Sequence, residues 1–223
     1  MPNTEANDRT LEQLFEAERT LRKYHDELVE LPQDRLLEII GRALPAALKE
    51  PREEEATIRL VRMAALLGEL TGPRAIDALI DILASEHPEA RHSAGEQIEA
   101  LAFDRFREIA EGVERALKRL PVGSAALSEL PYLLAEVPEP GVAKLLARFL
   151  AHEDPDAVAA AIEAVVEIGD PAAAKLLAPL VDDERTVELG EEGEDPEEVT
   201  IGELASEALE LLQGDEEEDQ AQH

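Results

Sequence analysis

Residues 73–83 read PRAIDALIDIL, and residues 140–150 read PGVAKLLARFL, the same plan 67 positions later (73 to 140). A third copy, PAAAKLLAPLV at residues 171–181, begins 31 positions after the second (140 to 171). One step of 31 and a double step of 67 indicate a period in the low thirties, so the chain is predicted to be a repeat array. Arrays of this kind build extended surfaces, and we therefore expect the protein to act by binding.

Apolar residues recur at helical spacing along the array and predict about five helix pairs. The predicted pairs are residues 32–49 with 53–70, 73–84 with 88–103, 104–120 with 124–137, 140–151 with 156–168, and 171–181 with 202–213. Proline stands in the first turn of several of these helices, where its missing N–H costs nothing. Asp154 and Asp170 each precede such a proline and are predicted to be N-cap residues.

Three segments flank or interrupt the predicted array of residues 32–213. Residues 1–31 are predicted to form an amphipathic helix that caps the first repeat, although Leu14, Leu21 and Leu28 are seven apart and would also suit a coiled-coil partner. Residues 182–201 contain two β-prone runs around an acidic Gly-rich turn, which favours an inserted hairpin over a disordered loop. The acidic tail, residues 214–223, is predicted to be disordered.

The repeats resemble HEAT repeats, particularly the short bacterial variety related to the phycobilin-lyase HEAT-like repeat. The residues that carry this resemblance are Pro-x-Ala-Ile-x-Ala-Leu at 73–79, Asp-Pro-Asp at 154–156 and Gly-Asp-Pro-Ala at 169–172. The resemblance implies an all-α fold, a right-handed α-α superhelix or HEAT-like solenoid. A Val-Arg pair common in such repeats remains only as Ala90-Arg91, so we expect the ladder of Arg and Asp between neighbouring repeats to be largely missing.

The composition limits how the core is built and where the protein works. Hydrophobic residues make up 44% of the 223 residues but aromatic residues only 3%, so helices must pack closely without large rings. The chain has no cysteine, which is typical of proteins outside oxidising compartments. Its first residues lack the basic and apolar regions of a signal peptide, and we expect a cytoplasmic protein.

Charge is distributed unevenly along the chain. Residues 1–120 hold 17 basic and 25 acidic residues, a net charge of −8, whereas residues 121–223 hold 4 basic and 27 acidic residues, a net charge of −23. Such a surface repels phosphate backbones and anionic lipid, so neither nucleic acid nor membrane is a predicted partner. A protein with a basic or mixed-charge surface is the predicted partner.

Catalytic and metal-binding patterns are weak in this sequence. Of the five histidines, only His152 is followed by a glutamate, Glu153, and a metal site needs three or four converging ligands. The sequence has no Gly-x-Ser-x-Gly elbow, no thiol and no glycine-rich phosphate loop. We therefore predict no catalytic residues, no cofactor and no metal, and a protein that is not an enzyme.

Glutamates on the second helix of each pair are the predicted partner-binding residues. Helical spacing places the apolar residues of these helices inward and leaves the glutamates outward, along the concave side of the solenoid. The predicted set is Glu96, Glu99, Glu163, Glu167, Glu203, Glu207 and Glu210, extended by Glu191 and Glu192 of the hairpin. Solvated helix faces are also commonly Glu-rich, so a purely solubilising role stays open.

The predicted function is a non-catalytic adaptor or regulatory scaffold that holds its partner on this acidic concave face. Three alternatives remain open from the sequence. They are a bilin-lyase-like chaperone or enzyme, an acidic mimic of nucleic acid that inhibits a nucleic-acid-binding protein, and a stability module within a larger complex. The sequence leaves the identity of the partner and the oligomeric state open.

Overall fold

The computed structural model of the protein describes residues 4–170, 173–190 and 197–221. Its helices are α1 (Thr4–Val29), α2 (Gln33–Ala47), α3 (Glu53–Gly68), α4 (Pro73–Leu83), α5 (Pro88–Arg119), α6 (Ala125–Ala135), α7 (Val142–Leu150), α8 (Pro155–Ile168), α9 (Ala174–Leu177) and α10 (Ile201–Ala221). Two short strands, β1 (Thr186–Leu189) and β2 (Glu197–Thr200), precede α10. Within the part of the chain that is described, none of these helices is long and apolar enough to cross a membrane.

The helices after α1 form two layers, as the predicted pairs require. Along one layer, α3 packs against the first half of α5, which is followed by α6, α8 and α10, each in contact with the next. The other layer contains α2, α4, the second half of α5, α7 and α9 in the same order. We call these the second-helix layer and the first-helix layer. The predicted all-α repeat architecture is confirmed.

Helix α5 serves both layers because it is broken at Arg105. The backbone angles of Arg105 (φ −140, ψ 47) are not helical, and the halves on either side belong to different predicted pairs. Its guanidinium donates to the Leu70 carbonyl oxygen at 3.0 Å. The Glu108 carboxylate accepts from the backbone N–H of Gly72 at 2.9 Å. The two side chains thereby hold the kink against the loop between α3 and α4.

The core consists of small and aliphatic side chains packed at short distances. Phe149 is fully buried, but Phe15 and Phe103 are exposed. A Cβ atom placed on Gly112 would lie 2.3 Å from Cγ2 of Ile76, so α4 and the second half of α5 approach each other at a position that only glycine permits. Close helix packing in place of large rings is therefore observed, as the composition predicts.

Ion pairs join neighbouring repeats, which corrects the prediction that such a ladder is largely missing. Arg115 donates to Asp77 across the α4–α5 interface, with Nε 2.9 Å from Oδ1 and Nη2 2.8 Å from the same oxygen. Arg119 pairs with Asp81 one turn further along. The ladder was missed because it lies in the first-helix layer, whereas the expected Val-Arg position lies in the second.

Arg115 and Arg119 of α5 thus pair across repeats and not within their own helix. The pairs within this half of α5 are Arg107 with Glu111 at 3.0 Å and Arg105 with Glu108 at 3.7 Å. Glu114 instead pairs with Arg148 of α7 at 3.3 Å. These contacts tie three successive repeats together.

A buried carboxylate joins the loops of the third and fourth repeats. Asp154 has an exposed fraction of only 1%, and its side chain accepts from the backbone N–H of Gly123 at 2.8 Å and of Asp156 at 3.1 Å. The second bond makes Asp154 the N-cap of α8, as predicted. Nδ1 of His152 accepts from the Asp154 N–H at 3.2 Å, and Nε2 lies 3.1 Å from the Leu117 carbonyl oxygen.

The C-terminal repeat differs most from the predicted pattern. Its first helix is short, since α9 is followed directly by a 3₁₀ turn at Ala178–Leu180. Strands β1 and β2 pair antiparallel, with Thr186 opposite Thr200, so the hairpin is present; its turn, residues 191–196, is outside the described residues. The backbone of α10 continues helically to Ala221, where the sequence predicted a tail without regular structure. Glutamate is a good helix former, and extending an existing helix costs little.

Helix α1 contacts the array only through its last turns. It meets α2 and α3, and Leu28 and Val29 pack against the core. Residues 7–20 are all exposed. The predicted amphipathic helix is therefore present, but most of its apolar face covers nothing in the array.

Candidate functional site

The structure places the predicted glutamates on the second-helix layer. Glu96 and Glu99 lie on α5, Glu163 and Glu167 on α8, and Glu203, Glu207 and Glu210 on α10; all are exposed except Glu99, which is half-buried. Glu191 and Glu192 lie outside the described residues. That a partner binds the predicted glutamates stays a prediction. The geometry divides the described ones into separate groups.

Three of these glutamates surround one apolar groove of about 430 Å³. The groove runs between α8 and α10 and is closed at one side by Tyr132 of α6. Its rim carries Glu163, Glu167 and Glu207. Its apolar lining is Ile162, Val166, Leu204, Ala208 and Leu211. We call this feature the acidic groove.

The local sequence of α8 explains why its glutamates point into solvent. The helix starts at the Asp154 cap and ends at Gly169, whose positive φ of 64 stops the helix in the left-handed conformation. Between these ends lie small and β-branched residues that are buried. Glu163 and Glu167 are one turn apart and occupy the remaining exposed strip of the helix.

Helix α10 is positioned by a capping box at its start. The Glu203 carboxylate accepts from the Thr200 backbone N–H at 2.9 Å and from its hydroxyl at 2.8 Å. In return the Glu203 N–H donates to Oγ1 of Thr200 at 3.1 Å. The hydrogen bond from the Thr200 backbone, followed by the bond from the Thr200 hydroxyl, lowers the pKa of Glu203. Glu203 therefore has a local structural task besides its predicted one.

Tyr132 is the residue of the groove that the sequence analysis missed. Its hydroxyl donates to the Glu163 carboxylate at 2.6 Å. Burial, followed by the bond to Glu163, raises the pKa of the Tyr132 phenol above its ordinary value, so the hydroxyl stays protonated and can keep donating. A signal existed, because buried Leu127, Leu130 and Leu134 at helical spacing place Tyr132 on the opposite side of α6.

The remaining predicted residues are not part of the acidic groove. Glu96 lies on α5 with its carboxylate 3.5 Å from Nε2 of His92. Glu203 and Glu210 line a second hollow of about 540 Å³, together with Asp182, Asp183 and Glu184. Glu207 borders both hollows. The predicted glutamates of α8 and α10 are thus divided between an apolar groove with an acidic rim and a hollow lined mainly by acidic residues.

The second-helix layer is almost free of basic residues at this end. Helices α6, α8 and α10 contain no lysine and no arginine over their full lengths. The nearest ion pair in this layer joins Arg91 of α5 to Glu129 of α6 at 2.7 Å. Burial raises the pKa of Glu129, and Arg91 opposes that shift. The groove carboxylates consequently face outward without a neutralising side chain from their own layer.

The side chains around the acidic groove are suited to binding a ligand. Across residues 4–170, 173–190 and 197–221, no three His, Asp or Glu side chains are arranged to hold a metal ion. His152, the histidine followed by a glutamate, is engaged with backbone groups of the repeat interface. Carboxylates over an apolar lining attract a ligand that combines positive charge with an apolar side chain.

Comparison with known proteins supports the repeat assignment. Residues 125–189 match the family of HEAT repeats, which confirms the resemblance inferred from the sequence over this stretch. The matched region contains α6, α7 and α8. It therefore includes the wall of the acidic groove that α8 forms and the side that Tyr132 of α6 closes. None of the curated proteins matches this chain.

Among solved structures the chain is similar to several designed repeat proteins. One is a computationally designed armadillo repeat protein for modular peptide recognition, with 16% identity over 88% of this chain and 93% of that one and a TM-score of 0.34. Another is a designed armadillo repeat protein in complex with the peptide (KR)4, with 16% identity over 87% of this chain and 92% of that one and a TM-score of 0.33. A third, described as an engineered protein, shares 15% identity over 89% of this chain and 92% of that one, with a TM-score of 0.35.

Proposed function

We propose that the protein is a non-catalytic adaptor or regulatory scaffold whose acidic groove binds a basic segment of a protein partner. The observation that carries this proposal is the absence of lysine and arginine from α6, α8 and α10, the three helices that build the groove. Elsewhere in the array, carboxylates on packed helices have arginine partners. Here the negative charge is left for a ligand.

The charge of the groove selects a cationic partner. Glu163, Glu167 and Glu207 stand around one opening, and each contributes a negative potential that adds to that of the others. A lysine or arginine entering this opening exchanges solvent for several carboxylates at once. We expect the charge to increase the association rate and to exclude acidic competitors.

The apolar lining supplies the affinity that exposed charges lack. Leu211 has an exposed fraction of 54% and Tyr132 of 38%, so both present apolar surface that a partner can cover. Covering such surface is worth about 25 cal/mol per Å². A partner segment in which basic residues alternate with leucine or another aliphatic residue would satisfy both features of the groove.

The test uses the full-length protein and a labelled octapeptide of alternating lysine and leucine, with binding followed by fluorescence anisotropy. Glu163→Lys, Glu167→Lys and Glu207→Lys are introduced together. We expect the affinity to fall at least about tenfold, because three charge contacts of about 0.2–1 kcal/mol each are reversed. An octapeptide of alternating lysine and serine should bind more weakly to the wild type, since it cannot use the apolar lining.

A matched control separates the groove from the overall charge of the molecule. Glu69→Lys, Glu86→Lys and Glu153→Lys change the net charge by the same amount at exposed positions outside the groove. We expect this variant to keep the wild-type affinity within about a factor of two at 0.15 M salt, where distant charges are screened. Equal losses in the two variants would mean that binding follows net charge, and the proposed site would be wrong.

A further inference from the structure

We propose that α1 pairs in antiparallel orientation with α1 of a second copy of this chain, through the exposed side chains of Leu11, Leu14 and Phe15. This surface is separate from the acidic groove. Helix α1 contacts α2 and α3, whereas the groove is built by α6, α8 and α10 at the other end of the array. The inference therefore does not depend on the proposed function.

The apolar face of α1 is used at one end and uncovered at the other. Leu28 and Val29, in its last turns, pack against the core. Leu11, Leu14 and Phe15 have exposed fractions of 49%, 62% and 46%. Their spacing of three and four residues places them together on one side of the helix. Three large apolar side chains on an isolated helix face are a typical binding surface.

The charges on α1 identify a second α1 in reverse orientation as the complementary partner. Residues 5–16 contain four acidic residues and one basic residue, whereas residues 19–23 contain three basic residues and no acidic one. A parallel pair would place like charges side by side. An antiparallel pair places the acidic end of each helix beside the basic segment of the other.

A two-fold axis near Leu14 and Phe15 brings specific side chains together. With that axis, Asp8 of one copy lies opposite Arg22 of the other, because both are seven residues from Phe15 (15 − 8 and 22 − 15). Phe15, Arg19 and Arg22 border a hollow of about 530 Å³ on α1. The hollow has room for side chains of the partner helix. Its lining combines three cations, Arg19, Arg22 and Lys23, with four carboxylates, and the cations are the groups available to the acidic end of the partner.

The position of α1 also reduces the repulsion between two strongly acidic molecules. Residues 4–29 hold seven acidic and four basic residues, a net charge of −3 out of −31 for the chain. Residues 121–223, which carry a net charge of −23, lie toward the end of the array that is opposite α1. Since α1 is about 39 Å long at 1.5 Å per residue, pairing through it keeps the acidic halves of two copies well apart. We expect a reversible dimer.

The first test measures the mass of the full-length protein by sedimentation equilibrium. We expect a monomer–dimer equilibrium, and we expect Leu14→Ser with Phe15→Ser to raise the dimer dissociation constant at least tenfold. The matched control is Ile58→Ser with Phe103→Ser, which removes two apolar side chains that are equally exposed on α3 and α5. Its dissociation constant should stay within about twofold of the wild type, and circular dichroism should report unchanged helix content for both variants.

Two results of this measurement would overturn the proposal. A wild-type protein that stays monomeric at several hundred micromolar would mean that the apolar face of α1 receives a different protein. An equal effect of the control variant would mean that exposed apolar residues in general cause the association.

The second test determines orientation by cysteine cross-linking, which is unambiguous because the chain has no cysteine of its own. Asp8→Cys and Arg22→Cys are prepared separately. Oxidation of the mixture should give a cross-linked dimer containing one copy of each variant, whereas each variant alone should stay largely monomeric. Cross-linking of each variant with itself would demonstrate parallel pairing and reject the antiparallel proposal.

Discussion

The first-helix layer and the C-terminal end of the second-helix layer treat their carboxylates in opposite ways. In the first-helix layer, Asp77, Asp81 and Glu114 each pair with an arginine of the neighbouring repeat. At the C-terminal end of the second-helix layer, Glu167 and Glu207 make no ion pair with any described residue, although they lie on α8 and α10, which pack against each other. One set of acids connects repeats, and the other set is left available.

This difference follows from where the few basic residues of the C-terminal half are located. Residues 121–223 contain four of them: Lys144, Arg148, Lys175 and Arg185. Two lie on α7 and one on α9, in the first-helix layer. Arg185 precedes β1 and donates to Asp183 at 2.6 Å and to the His152 carbonyl oxygen at 2.7 Å. The ion pairs that connect repeats and the carboxylates that we propose to bind a partner thus lie on different faces of one array.

The largest expected effect is on the connected side, at the buried carboxylate of Asp154. Asp154→Ala removes the acceptor for the backbone N–H groups of Gly123 and Asp156. We expect the free energy of unfolding to fall by about 3 kcal/mol, since a buried donor without a partner costs about 1–3 kcal/mol and loss of an N-cap about 1 kcal/mol.

Urea denaturation followed by circular dichroism measures this change. Glu153→Ala, at the exposed neighbouring position, is the matched control and should change stability by less than about 0.5 kcal/mol. If the two variants were equally stable, Asp154 would not connect the third and fourth repeats energetically.

A slightly smaller effect is expected where α4 and α5 approach each other. Gly112→Ala places a methyl group 2.3 Å from Cγ2 of Ile76, and we expect a loss of about 2 kcal/mol from overpacking. Gly41→Ala is the matched control, because no atom lies within 4 Å of a Cβ at that helical position. There alanine should raise the free energy of unfolding by about 0.5–1 kcal/mol. If alanine lowered the free energy of unfolding at both positions, helix propensity would not be the factor that decides the effect at Gly41.

The sequence predicted the architecture well because helical periodicity is a local signal and the spacing of the repeats can be recognised along the chain. Four of the helix pairs, the hairpin strands and the Asp154 cap follow from patterns within a few residues of one another. The predicted separation of residues 88–103 from 104–120 is present as the kink at Arg105, and the first helix of the fifth pair is shorter than predicted. The ion pairs of Arg115 and Arg119 were missed, because the ladder between neighbouring repeats was expected to be largely missing. Their true partners are 38 residues away (115 − 77 and 119 − 81), and a single repeat contains no information about them.

The candidate site was predicted in part for the same reason. Outward-facing glutamates can be identified from helical spacing, and Glu163, Glu167 and Glu207 do surround one groove. Which glutamates share a groove depends on how α8 and α10 meet, and periodicity does not determine that. Tyr132 was missed because its partner, Glu163, is 31 residues away on another helix.

A smaller effect separates inter-repeat ion pairs from ordinary surface pairs. A double-mutant cycle on Asp77→Ala and Arg115→Ala should give a coupling energy of about 1 kcal/mol, because the guanidinium makes several short contacts with a half-buried carboxylate. The same cycle on Lys23 and Glu27 of α1, an exposed pair at 3.6 Å, should give less than about 0.5 kcal/mol. Equal couplings would mean that the ladder contributes no more to folding than a solvated pair.

The smallest expected effect on stability is in the acidic groove itself. Replacing Glu163, Glu167 and Glu207 together by glutamine keeps their shape and removes three negative charges. Since Glu167 and Glu207 have no ion pair to lose among the described residues, we expect the free energy of unfolding to stay within about 0.5 kcal/mol of the wild type at 0.15 M salt. At low salt it should rise, because repulsion within a chain of net charge −31 is reduced. A loss above 1 kcal/mol would show that these carboxylates hold the helices together, and the division between a connecting layer and a binding layer would then be wrong.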